Sequence, residues 1–169
     1  MYSDTIDFQL DHREAVGQQC PSDNLPFDEV LDCLSFVRTS GPSTTRVSHR
    51  SYHFLHLPFQ EFYAAQYIAR HWKDHRPLEY IDFSSRKSKP AKVHPTHFLQ
   101  HYKYTARYDV VWRFIAGLLG EEVSGHFNAI EQTPLDLLGP THQRLVMHCL
   151  SEVSSTNLPI PIRTATISI

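Results

Sequence analysis

Residues 52–73 read YHFLHLPFQEFYAAQYIARHWK, and this stretch decides the fold. From Tyr52 to Leu57 the residues alternate as a strand does, with Tyr52, Phe54 and His56 on one face. From Pro58 the period changes. Phe59, Phe62, Tyr63 and Tyr67 recur at helical spacing, and Ala65, Ile68, Ala69 and Trp72 form a second stripe beside them. Gln60, Glu61, Gln66, Arg70 and Lys73 are left for the remaining surface. Pro58 suits the first helical position, where the missing N–H costs nothing, and Glu61 complements the positive helix start. Two adjoining apolar stripes predict a broadly buried helix over 58–73, with Phe62, Tyr63, Tyr67 and Trp72 in the core.

Upstream, Asp23 and Asn24 can cap a short helix over about 26–33, with Pro26, Asp28 and Glu29 in its first turn. Residues 35–39 read as a strand that pairs with the one beginning at Tyr52, and GPSTTRVSHR (41–50) is the loop between them. A short helix followed by a hairpin has the form of the second half of a winged-helix domain, so 23–74 is expected to be a partial winged helix plus the signature helix. Residues 1–22 are polar and weakly periodic, an expected poorly ordered segment. Downstream, 75–93 is rich in Pro, Ser and Lys and reads as a linker. Residues 94–153 read as a helical domain: a helix from Pro95 to about Lys103, one over 107–120, one capped by Ser124 and running to about Gln132, and one over 141–153. The tail 154–169 has no helical period and is expected to be irregular. The fold class that follows is mainly α with a small β-hairpin.

Composition narrows the function. The chain has 169 residues, of which 41% are hydrophobic and 20% charged, as in a globular protein. A formal charge of -2 argues against a general nucleic-acid or membrane-surface binder. Residues 1–34 hold eight acids and one base, and residues 70–107 hold nine Lys or Arg and three acids; the second run reads as a solvated face. The cysteines Cys20, Cys33 and Cys149 are widely spaced and odd in number, which fits reduced thiols in a cytoplasmic protein. The N-terminus lacks the pattern of a signal peptide, and no apolar window is long enough to span a membrane.

Motifs for catalysis are missing. GxxxxGK[ST], GxGxxG, GxSxG, CxxC and HExxH are all absent, so no enzyme, catalytic residue or metal site is expected. His148 and Cys149 would point about 100° apart on a helix, which leaves Cys149 in the core and His148 paired on the surface with Glu152. Glu121 and Glu122 are adjacent and read as solvated. His56 stands apart. It shares an apolar strand face and lies just ahead of a helix start, where backbone N–H groups favour anions. It reads either as a satisfied core histidine or as a phosphate donor.

The run 52–72 resembles the signature of NACHT proteins, the STAND NTPase class that includes the NOD-like receptors. Their winged-helix strand and following helix read approximately FxHxxFQEFxAA, and Phe54, His56, Phe59, Gln60, Glu61, Phe62, Ala64 and Ala65 match it. KYTARYDVVWRFIAGLL (103–119) and DLLGPTHQRLVMHCLSE (136–152) resemble the helical segment that follows in fungal-type members. The resemblance covers roughly residues 25–153. It implies a regulatory and transmitting module C-terminal to a nucleotide-binding core, with no catalysis of its own. It implies ADP or ATP as the ligand of an intact parent, His56 as the residue facing the bound ADP, and the NTPase core and oligomerisation as partners. Pro58 departs from the Ser or Thr usual in the family, and the P-loop half lies outside this chain. A fragment, a truncated product and a faulty gene model all fit. The alternative is a stand-alone helical protein–protein interaction module without a nucleotide role.

Overall fold

The computed structural model describes residues 29, 31, 33–40, 51–82, 89–136, 139–154, 156 and 157. The expected N-terminal segment 1–22, the loop 41–50 and the end of the tail from residue 158 lie outside the described residues. Of the helix expected over 26–33, Glu29, Leu31 and Cys33 are described, and all three are helical. The described chain is mainly helical with two small strand pairs. It falls into two units, one within Met1–Gln60 and Tyr80–Ala91, the other within Glu61–Glu79 and Lys92–Ile169.

In the first unit, β1 (Val37–Ser40) pairs antiparallel with β2 (Ser51–Phe54), with Val37 opposite Phe54 and Thr39 opposite Tyr52. Leu31, Val37 and Tyr52 form its small core, with Leu34, Phe36 and Phe54 packed around them. Phe36 stacks on Phe54 at 5.9 Å and meets Phe59 at 6.0 Å, so the start of the following helix is fastened to the hairpin by rings.

That helix, α1 (Leu57–Lys73), begins one residue before Pro58, so proline takes the second position, where its lack of an N–H still costs nothing. It ends in a Schellman motif. Arg76 N donates to His71 O at 2.9 Å and His75 N donates to Trp72 O at 3.1 Å, while His75 holds the left-handed position at φ 51° that glycine usually fills. The burial of α1 corrects the expectation of two buried stripes. Ala65, Ile68 and Ala69 are buried, but Phe59, Tyr63 and Tyr67 are 42%, 44% and 41% exposed. One face of a helix can meet one core, and the small residues allow the closer approach. Phe62 is half-buried against Phe114 at 5.6 Å. The Tyr67 hydroxyl donates to Glu79 O at 3.1 Å and accepts from Glu79 N at 3.0 Å, which explains how a tyrosine on the outer face is still fixed.

The stretch 75–93, expected as a linker, carries β3 (Leu78–Asp82) and β4 (Lys89–Val93), which pair with each other. Lys92 Nζ meets Glu79 Oε1 at 2.5 Å. The short apolar run Leu78–Tyr80–Ile81 is hidden in sequence by the basic and serine-rich residues after it.

The second unit is built on α2 (Pro95–Tyr102), α3 (Asp109–Leu119), α4 (Val123–Ile130) and α5 (Thr141–Ser151). Its core holds Phe98 and Leu99 of α2, Val111, Trp112, Ile115 and Leu119 of α3, Val123, Phe127 and Ile130 of α4, and Leu145 and Cys149 of α5. Helix α3 stops at Gly120, whose φ of 63° suits a residue without Cβ. At Gly117 a Cβ would sit 3.2 Å from Glu152 O, so glycine lets the end of α5 come close to α3. Ser124, expected as a cap, lies inside α4, and Glu122 precedes that helix. The start of α4 has no side-chain cap, and capping side chains act at two other helix ends. The Lys103 ammonium, itself buried, donates to Ile130 O at 2.7 Å and to Gln132 O at 2.5 Å, satisfying carbonyls at the end of α4. The Asp136 carboxylate accepts from Gly139 N at 3.1 Å and Thr141 N at 3.3 Å at the start of α5.

Candidate functional site

His56 is not where strand alternation puts it. The strand ends at Phe54, with one more ladder bond from Leu55 N to Phe36 O at 2.9 Å. His56 is therefore past the strand and immediately before α1. Its carbonyl accepts the N–H of Phe59 at 3.1 Å, and its exposed ring lies 6.1 Å from the Phe59 ring. The core-histidine reading thus fails on exposure: Tyr52 is fully buried and Phe54 partly so, while His56 faces outward. Its chemistry is that of an imidazole at the mouth of a seventeen-residue helix.

The first turn of α1 contains no acid. Because the helix begins at Leu57, Glu61 falls beyond that turn rather than in it, and partial burial raises its carboxyl above the ordinary value. The positive end of the helix dipole has no carboxylate of its own turn to offset it. Within the same run, the Gln60 Oε1 is buried and has no hydrogen-bond partner among the described residues. Phe59 holds the helix start by its ring contact with Phe36.

The second unit contains polar clusters that sequence did not reveal. His126 is fully buried and lies 5.5 Å ring to ring from Trp72, with its Nε2 4.0 Å from Cys149 Sγ. Burial pulls the imidazole down to about 4, against a smaller upward pull from the Trp112 backbone. Burial pushes the Cys149 thiol up to about 12, helped by the negative charge of Asp109. A neutral imidazole beside a neutral thiol has no proton to exchange near pH 7, so Cys149 is core, as its place on the apolar stripe implies. His148 does not pair with Glu152. Its Nδ1 meets Asp109 Oδ2 at 3.1 Å, while Glu152 accepts from Arg113, because tertiary partners outcompete the local i,i+4 pair. His142 joins Tyr104 Oη at 2.9 Å to Glu131 Oε1 at 3.2 Å, and the Tyr104 hydroxyl also accepts from Asp136 N at 3.1 Å. This carboxylate–imidazole–phenol chain ties the segment after α2 to the loop before α5.

Glu121 and Glu122 are exposed. Among the described residues no three His, Cys, Asp or Glu side chains are placed together to hold a metal ion, and no helix is long and apolar enough to cross a membrane. Comparison with protein-family models, with curated proteins and with solved structures found no match.

Proposed function

We propose that this chain is a regulatory and transmitting module of a NACHT-type signalling NTPase, acting C-terminal to the nucleotide-binding core and carrying no catalysis itself. His56 is its nucleotide-sensing residue, ADP or ATP bound by the parent is the ligand, and the NTPase core is the partner. In the parent the module lies in the cytoplasm and takes part in oligomerisation. The observation that supports this reading is the exposed imidazole of His56 ahead of an α1 whose first turn lacks an acid, within a run that matches FxHxxFQEFxAA. An imidazole N–H ahead of the positive end of a helix can meet the oxygens of a diphosphate. One hydrogen bond to such a charged group is worth roughly 1.5–3 kcal/mol, or about 10- to 100-fold in a closed-to-open ratio.

The test is the ADP affinity of the intact parent protein. His56→Leu removes the donor and should weaken ADP binding while raising spontaneous oligomerisation. An unchanged affinity in a folded variant contradicts the assignment. A transcript whose upstream reading frame encodes GxxxxGK[ST] supports the reading independently. The second reading, a stand-alone helical interaction module, draws on the exposed aromatic row Phe59, Tyr63 and Tyr67. It requires a partner captured by the chain alone through that row, with no effect of nucleotide.

A further inference from the structure

We propose that the outer face of α1 is a docking surface for an acidic amphipathic helix of a partner protein. This rests on the second reading above, in which the aromatic row is a contact surface, and not on the role of His56. Among the described residues, five of the seven exposed large apolar side chains fall between Leu55 and Tyr67. Apolar residues gathered in this way mark a contact surface, whereas singly scattered ones need no partner. Phe59, Tyr63 and Tyr67 stand four residues apart and form one line about 12 Å long.

The ends of that line are already fixed. Phe59 meets the Phe36 ring at 6.0 Å. The Tyr67 hydroxyl is bonded to both Glu79 N and Glu79 O, and its ring lies 4.1 Å from that of His71. Rings held before contact lose little freedom when a partner covers them.

The exposed charge on this face has one sign. Arg70 stands three residues after Tyr67, one turn further along the same side, and Lys73 one turn beyond it; both are exposed. The one acid of α1, Glu61, lies two residues from both Phe59 and Tyr63, hence on the far side of the helix, where it is half-buried. The complement is a line of apolar side chains over the rings with carboxylates over Arg70 and Lys73. A helix supplies such a line with the spacing that packs along another helix. The α1 of a second copy does not supply it, because its outer face brings no acid to Arg70. The net charge of -2 disfavours a nucleic acid or an anionic membrane.

The experiment is fluorescence anisotropy at pH 7 with two labelled synthetic helices of about twenty residues. Both carry leucine at the a and d positions of a heptad; one carries glutamate and the other lysine as its charged residue. The chain should bind one glutamate helix saturably and the lysine helix about 10-fold more weakly. Tyr63→Ala should weaken the glutamate helix by about 10-fold. Arg70→Glu should remove the preference between the two peptides. Met147→Ala, which removes an exposed apolar side chain of α5, should change neither affinity. Circular dichroism checks that each variant keeps its helix content. Equal binding of both peptides, lost in Tyr63→Ala, overturns the acidic partner and leaves the row a contact surface. Binding of neither peptide, or binding that Tyr63→Ala leaves intact, overturns the docking surface itself. Self-association lost in Tyr63→Ala that competes with the glutamate helix makes a second copy the occupant. Tighter binding of RNA or of phosphatidylserine vesicles makes it a polyanion. Either of these two results also overturns the proposal.

Discussion

His126 shows how one buried side chain sets the response of the second unit to acid. Its imidazole is held down to about 4 by burial, below the ordinary value of 6.5. The unfolded chain takes up a proton as pH falls through about 6.5, and the folded chain does not until about 4. Stability is therefore complete above the unfolded value and declines as pH falls between the two. The loss is on the order of 3 kcal/mol. Urea midpoints measured from pH 7.5 to pH 4 should fall less steeply in His126→Leu than in the unaltered chain; parallel curves would show that His126 does not carry the effect. Cys149 makes a paired case. With its thiol pushed up to about 12 and no exposure, it should resist iodoacetamide in the folded chain, while exposed Cys33 reacts. Mass spectrometry of the modified peptides before and after addition of urea reads this directly, and rapid labelling of Cys149 in the folded chain would contradict the packing. The burial of Cys149 was legible from its place on the apolar stripe, but that of His126 and the approach of the two were not. His126 sits among apolar residues of α4, and nothing in its spacing says that Cys149, on another helix, comes within 4.0 Å.

At the scale of elements, periodicity located the helices and overestimated how much of α1 is inward, since one of its two apolar stripes is largely exposed. The stripe of Ala65, Ile68 and Ala69 is the buried one, although the stripe of Phe59, Phe62, Tyr63 and Tyr67 is the more hydrophobic. Residue size does not reveal that small side chains seat a helix close to its neighbours. Trp112, fully buried in α3, should cost about 3–5 kcal/mol when changed to Ala, and half-buried Phe62 roughly half as much. Exposed Arg70→Ala should cost under about 0.5 kcal/mol. Denaturant midpoints rank the three, and equal effects would discredit this packing of α1 and α3. The end of α1 gives an opposite sign. His75 holds a left-handed φ of 51°, so His75→Gly should stabilise by about 1 kcal/mol, and a loss of stability would mean that its side chain contributes more than the strain removes. The strands β3 and β4 escaped sequence reading because β3 is short, β4 itself carries two Lys and a Pro, and the serine-rich basic run FSSRKS (83–88) separates them in sequence. Lys103 escaped because a buried ammonium that caps α4 looks, in sequence, like one more charge in a basic run.

At the scale of the whole molecule, the hairpin followed by a helical array was legible because two periods, two and 3.6, change over at a single point between Phe54 and Leu57. That same changeover places His56. Its location before a helix was readable; its exposure was not, because the strand stops two residues short of it. On the proposed reading the chain supplies one part of a phosphate site and the partner core the rest, as the sequence contains no GxxxxGK[ST] loop. Calorimetry of the isolated chain with ATP and ADP should therefore show no micromolar binding, and a saturable site lost on His56→Leu would mean that the chain needs no second half. The most direct measurement of the central claim compares ADP dissociation constants of the intact parent protein with and without His56→Leu, alongside His53→Leu. Weakening by about 10- to 100-fold for His56→Leu alone is the expected result. Equal ADP affinity in the unaltered protein and a correctly folded His56→Leu variant would contradict the account.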